Sequence, residues 1–157
     1  MHLTSELWLP RPRDEVFRFF SNAGNLEALT PPWLHFHIIT PDVAMQPGTR
    51  IRYRLRLRGI PFTWESEISS WEPPRRFVDE QRRGPYRRWV HTHTFAEERG
   101  GTLVGDAVEF EVPLEHEGTN LYPVLRQLVA ETDINTGETG EARTGWPHQG
   151  VYKWRCI

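Results

Sequence analysis

Cysteine is almost missing from this chain: Cys156 is the one cysteine in 157 residues. No disulfide within the chain is therefore possible. Long apolar runs are missing too, since no stretch of 18 apolar residues occurs and nothing reads as a membrane-spanning helix. The opening MHLTSELWLPRPRDE holds no apolar run long enough for a signal peptide. An excess of one charge is also lacking. The formal net charge is −2, so no general field gathers nucleic acid or an anionic membrane. The expectation is a soluble, reduced, cytoplasmic protein with no nucleic-acid partner, no membrane insertion and no cofactor.

Aromatic residues are what the chain has in quantity: 12% of the sequence, with seven tryptophans. Such wealth suits a lined pocket and suits a dense core equally. The length fits one domain.

Residues 3–9, LTSELWL, read as a first strand that Pro10 and Pro12 stop. RDEVFRFFSNAGNLEALTPPWL reads as two short helices. Asp14 and Glu15 favour the first helix start, and Val16, Phe19 and Phe20 give it an apolar stripe. Asn22 or Asn25 caps the next turn. Residues 34–39, LHFHII, read as a second strand, with Phe36 inward and His35 and His37 toward solvent.

IRYRLRLR, residues 51–58, alternates without a break. Ile51, Tyr53, Leu55 and Leu57 share one face, while Arg52, Arg54, Arg56 and Arg58 share the other. FTWESEISSW is its hairpin partner, with Phe62, Trp64, Ser66 and Ile68 inward. Glu65 and Glu67 then face outward and are expected to pair with Arg54 and Arg56. That makes the arginine row the wet face of a half-buried sheet rather than a nucleic-acid patch. FVDEQRR, GPYRRWVHTHTFAEE and TLVGDAVEFEVPL complete seven antiparallel strands in one curved meander.

In GPYRRWVHTHTF, Trp89, His91, His93 and Phe95 fall on one face because successive strand residues point to opposite sides. Two imidazoles between two aromatics indicate a sheet wrapped around a cavity. Past the last strand, GTNLYPVLRQLVAE has room for a helix of about ten residues whose start Pro123 limits. Residues 132–157 are Gly- and Thr-rich and score as loop or disorder.

The segments NLEALTPPWL, PGTRIRYRLRLRGIPFTW, WEPPRRFVDEQRRGPYRRWVHTHTF and GGTLVGDAVEFEVPL, in that order, resemble bacterial ligand-binding domains of the SRPBCC superfamily. That superfamily includes START lipid-transfer domains, pollen-allergen-like proteins and polyketide cyclases. The resemblance covers roughly residues 1–115 and implies an α+β helix-grip fold. In that fold a seven-stranded curved antiparallel sheet, with two short helices after strand 1, grips a C-terminal helix over a hydrophobic cavity. Residues 1–131 would form this domain, with a shortened or atypical helix, and 132–157 an atypical tail. The implied ligand is a lipid, a polyketide or another apolar or aromatic small molecule. The sequence specifies no oligomeric state, and a dimer is compatible with it.

Strand parity nominates the lining: Tyr53, Leu55, Trp64, Ile68, Trp89, His91, His93, Phe95, Val108 and Phe110. Trp33, Phe36 and Tyr86 are candidates for the mouth. Plain core packing accounts for any one of these aromatics taken singly. The inward polar group is Asp79, Gln81, His91, His93 and Asp106. Burying these without partners costs roughly 1–3 kcal/mol each, so they must bond one another, water or a ligand. Three readings follow: a satisfied internal network, a network that orients the polar end of a ligand, or acid–base catalysis. In the last, His91 or His93 with Asp106 or Asp79 acts as polyketide cyclases do. For the chain as a whole the alternatives to ligand binding are a cyclase- or dehydratase-type enzyme and a regulatory protein-interaction module. The His-x-His pair places two imidazoles on one side about 6.5–7 Å apart at Cα. A third ligand such as Asp106 or Asp79 would be needed, and no metal is assigned to the pair.

Overall fold

The computed structural model describes residues 1–26, 30, 34–57 and 59–112. Trp33, Arg58, the expected helix at 119–131 and the tail at 132–157 lie outside the described residues. In chain order the elements are β1 (His2–Leu9), α1 (Arg13–Phe20), a 3-10 turn (Ala23–Asn25), β2 (His37–Ile38), β3 (Arg50–Leu57), β4 (Ile60–Glu72), β5 (Arg76–Arg83), β6 (Arg88–Glu98) and β7 (Gly101–Glu111). The strands form one antiparallel sheet in the order β1-β7-β6-β5-β4-β3-β2. This is the expected meander, with β1 returning to pair along its whole length with β7. No described helix is long and apolar enough to cross a membrane.

Turn chemistry sets the registers. Arg99 and Gly100 both adopt positive φ, 49° and 74°. That is the geometry of a two-residue hairpin turn whose twist matches its strands, and Glu98 pairs with Gly101 across it. β4 meets β5 with register shifts at Glu65/Ser66 and Ile68/Ser70. Such irregularities bend a strand and increase its twist, and they fall where the sheet must curve around its inward face.

The second strand is shorter than its alternation implies. His35 has φ 46°, which breaks the extended run, and only His37–Ile38 pair with β3. His35 and His37 are exposed, and Phe36 packs on Tyr53 at 4.8 Å between ring centroids.

The arginine row faces outward as expected, but its ion pairs differ. Leu57 pairs with Ile60, which sets Arg54 against Thr63 and Arg56 against Pro61. Glu67 instead binds Arg50 at 2.9 Å and Arg82 at 3.1 Å, and Glu65 lies 3.5 Å from Arg50. A tighter hairpin than expected moves every cross-strand partner.

The inward face carries two apolar clusters. One gathers Leu34, Tyr53, Leu55, Trp64, Tyr86, Trp89 and Phe110, among others, over the β3–β4 side. The other gathers Leu9, Val16, Phe17, Phe20, Phe77, Phe95 and Val104 under α1. The helix buries Phe17 rather than Phe19, beside Val16 and Phe20. Phe17 lies 5.2 Å from the rings of both Trp71 and Phe95 and meets Phe77 edge-on at 6.1 Å. Edge-to-face and tilted contacts of this kind add to the area that burial removes from water.

Phe17 is thus the peg that docks α1 on the sheet. Phe17→Ala is expected to lower stability by about 3–5 kcal/mol in urea unfolding. A change below about 1 kcal/mol would show that α1 contributes little to closing this end.

Candidate functional site

Between the two apolar clusters lies a polar layer. Along β6 the inward residues Trp89, His91, His93 and Phe95 are all between 3 and 5% exposed. The two aromatics belong to different clusters, and the imidazoles sit at the boundary. The neighbouring strands bring a carboxylate to each side. Asp79 on β5 pairs in register with His91, and Asp106 on β7 with His93.

The side chains cross these pairings diagonally. His91 Nε2 lies 3.1 Å from Asp106 Oδ1, and His93 Nε2 lies 3.3 Å from Asp79 Oδ2. His93 Nδ1 approaches Asp106 Oδ1 to 2.7 Å but off the line of a hydrogen bond, a contact of charge. His91 Nδ1 is 3.9 Å from Asp79 Oδ2. The two imidazole rings are 3.9 Å apart, and Phe77 stacks on His93 at 4.2 Å.

Asp79 continues the network outward. Ser66 faces it and adds to the lowering of its pKa. The Ser66 hydroxyl in turn accepts from Trp64 Nε1 at 3.1 Å and meets the Tyr53 hydroxyl at 3.0 Å. A chain of polar contacts therefore runs from β3 to β7 through the middle of an aromatic interior.

Burial opposes charge on His93, Asp79 and Asp106, yet the pairing outweighs it. For His93, burial alone would lower the pKa, but the Asp106 and Asp79 carboxylates push it up to about 9. For Asp106, burial pulls upward, and the hydrogen bond from His91 and the His93 imidazole beside it hold the carboxyl well below the usual range. Asp79 is likewise lowered against its burial by His93 and His91. At neutral pH the layer therefore holds a His93 imidazolium between two carboxylates.

A cavity of about 50 Å³ opens against this layer. Its apolar walls include Phe20, Ala23, Leu26, Phe36, Met45 and Ile51, and its polar side is Ser66, Asp79, His91 and His93. Of the residues nominated from sequence, Phe36, Tyr53, Ile68, His91, His93 and the candidate Asp79 line it. Trp64, Tyr86, Trp89 and Phe110 instead pack on one another, with neighbouring rings 4.7–5.9 Å apart. Leu55 and Val108 pack in or against the same cluster, and Phe95 packs under α1. Asp106 stands behind the two histidines. Gln81 closes the β5–β6 turn, its amide donating to the Tyr86 carbonyl at 2.6 Å and accepting from the Tyr86 N–H at 3.3 Å.

Strand parity cannot find Ala23, Leu26 and Met45, because none lies on a strand. The 3-10 turn and the loop before β3 bring them over the sheet. Phe20 carried a weak signal as part of the helix stripe, and Ile51 and Ser66 carried one through the alternation of β3 and β4.

Residues 9–136 match the family described as polyketide cyclase/dehydrase and lipid transport. No curated protein matches the chain in sequence. Among solved structures the fold is similar to the Zhui aromatase/cyclase from Streptomyces sp. R1128, with a TM-score of 0.68 at 14% identity, covering 87% of this chain and 86% of that one. It is also similar to TTHA0849 from Thermus thermophilus, with a TM-score of 0.60 at 23% identity, covering 83% of this chain and 85% of that one. The major latex-like protein 151 of Panax ginseng gives 0.57 at 12% identity, covering 87% and 95% respectively. At these identities the likeness is one of fold.

The charged layer makes stability depend on pH in a definite direction. A raised His93 pKa contributes stability that is complete below the ordinary value of 6.5 and is lost as pH rises through about 9. The lowered Asp79 and Asp106 contribute above the ordinary 3.8 and lose it on acidification. Urea unfolding is expected to show a loss on the order of 3 kcal/mol between pH 6.5 and 9.5. His93→Gln should flatten that slope while lowering stability at pH 6.5. A wild-type profile flat across this window would contradict a charged His93.

Proposed function

The chain belongs to the polyketide cyclase/dehydrase and lipid transport family, and on that premise we propose that it binds a hydrophobic or aromatic small molecule, of lipid or polyketide type, in the cavity over the curved sheet. The observation that carries this reading is the sidedness of the cavity. Its walls are apolar apart from one patch formed by Ser66, Asp79, His91 and His93. Pockets for small molecules combine apolar walls with a few convergent polar groups that set orientation. The ligand's hydroxyl or carbonyl faces His93 and Asp79, and its carbon skeleton lies along Phe20, Leu26 and Ile51.

The enclosed space of about 50 Å³ takes a few waters or one end of a ligand, against roughly 300–1,000 Å³ for a drug-sized molecule. Binding a ring system therefore requires side chains at the wall to shift. Met45 and Leu26 are suited to this, since unbranched Met repacks readily.

A second reading is favoured by His93 itself. A buried imidazolium facing the cavity, with a pKa near 9, is a proton donor at neutral pH rather than a base. In a cyclase- or dehydratase-type reaction it would protonate a carbonyl or a departing hydroxyl, with Asp106 and Asp79 stabilising the charge. Binding and catalysis would use the same contacts.

Equilibrium binding of naphthalene and 2-naphthol separates the apolar from the polar contribution. The wild type is expected to bind 2-naphthol about tenfold more tightly, the worth of one hydrogen bond to a charged group. His93→Leu should bring the two to parity, and Ala23→Leu, which fills the wall, should weaken both about tenfold or more while circular dichroism stays unchanged. Failure of both aromatics to bind saturably would overturn the binding reading. If a poly-β-ketone is turned over, with the rate falling as pH passes about 9 and lost in His93→Gln, the acid-catalysis reading gains the place of simple carriage.

A further inference from the structure

The histidines of the polar layer are oriented in a way that ligand binding alone does not require. Each directs one ring nitrogen to Asp106 and the other toward Asp79. His91 Nε2 and His93 Nδ1 lie 3.1 and 2.7 Å from the same oxygen, Asp106 Oδ1. That leaves His91 Nδ1 and His93 Nε2 converging on Asp79 Oδ2, at 3.9 and 3.3 Å. One ligating atom from each of Asp79, His91 and His93 lies within 4.8 Å of the other two.

We propose that Asp79, His91 and His93 form a binding site for a divalent transition-metal ion such as Zn²⁺, with Asp106 as the outer carboxylate that orients both imidazoles.

Four features of the geometry support this. Once the ion displaces the His93 proton, the donor set is two imidazoles and one carboxylate, which suits first-row divalent ions. Donors around a tetrahedral zinc, with bonds of about 2.0–2.1 Å, stand about 3.3 Å apart. His93 Nε2 and Asp79 Oδ2 are already at 3.3 Å, His91 Nδ1 stands 3.9 Å from the same oxygen, and the donors of the three residues lie within 4.8 Å of one another, so the triangle has to contract to hold the ion. Metal-bound histidines almost always give their second nitrogen to a carboxylate or carbonyl, which fixes tautomer and ring angle. Asp106 holds that position for His91 through a hydrogen bond and stands 2.7 Å from His93 Nδ1. Its second oxygen, Oδ2, is buried with no hydrogen-bond partner among the described residues. Finally, the three donors line the cavity. The open coordination position would face that cavity, and the same opening gives an ion its way in.

The rigidity of the rings also favours a single arrangement. Phe77 stacks on His93, and the two imidazole centroids lie 3.9 Å apart. On a strand neither ring can leave the inward side without breaking the pairing of β6 with β5 and β7. This site goes beyond the ligand-binding reading and does not depend on what occupies the apolar part of the cavity.

The test uses the full chain after treatment with a chelator, titrated with Co²⁺ as a spectroscopic stand-in and then with Zn²⁺ in competition. The expected result is one equivalent of Co²⁺ bound, visible d–d absorption of a four- or five-coordinate ion, and its loss when Zn²⁺ is added. Asp79→Asn and His91→Gln should each weaken binding at least 100-fold, and Asp106→Asn by about 10–100-fold, as for an outer ligand. His35→Ala and His37→Ala, at exposed positions, should leave it unchanged. Because a buried substitution can unfold the chain, a wild-type measurement stands beside the variants: in proton NMR, Co²⁺ should give paramagnetically shifted ring signals that belong to His91 and His93. Co²⁺ absorption that stays featureless, or shifted signals that belong to the exposed histidines, overturns the proposal.

Discussion

The inward face of this sheet is held by a charge pairing that apolar packing alone would never select. Two imidazoles on β6 stand between a carboxylate on β5 and another on β7, in a region where each charge by itself would be expelled. Any slip of one residue between these strands would turn His91 and His93 toward solvent and separate them from Asp79 and Asp106. The layer therefore does more than satisfy its own members. It specifies how β5, β6 and β7 must align, and so where the aromatic clusters on either side come to rest.

Those clusters have different tasks. The one over β3 and β4 is a mesh of tilted and edge-on rings around Trp64 and Trp89. The one under α1 uses Phe17 to pin the helix to the sheet. The cavity lies where the two meet, and there the polar layer reaches its wall. The register shifts in β4 bend the sheet at the same level. The function proposed for the chain follows from that coincidence: an opening in an aromatic interior falls where hydrogen-bonding groups converge.

Much of this arrangement is legible in the sequence because strands have a period of two. Trp89, His91, His93 and Phe95 share a face for that reason alone, as do Tyr53, Trp64 and Ile68 on their own strands. Parity says which side a residue faces, not what it meets there. It could not separate Tyr53 and Ile68, which line the cavity, from Trp64 and Trp89, which fill core, since that difference depends on how far the sheet curves. Nor could it place Ala23, Leu26 and Met45, which arrive from a 3-10 turn and a loop. The pairing of Glu67 with Arg50 and Arg82, instead of Arg54 and Arg56, was hidden in the length of one hairpin turn. Gln81 read as an inward polar group, but its amide fits the turn next to it, a local contact that alternation does not reveal.

The most direct test of the account is the ionisation of His93 in the metal-free protein, read from the imidazole nitrogen and carbon shifts across a pH titration by NMR. The account requires one buried histidine to stay protonated through neutral pH and to titrate near 9, with that signal disappearing in His93→Gln. If every histidine of the folded chain titrated at or below about 6.5, the ordinary value, no cation would sit between Asp79 and Asp106, and the charged layer that aligns β5, β6 and β7 would not exist.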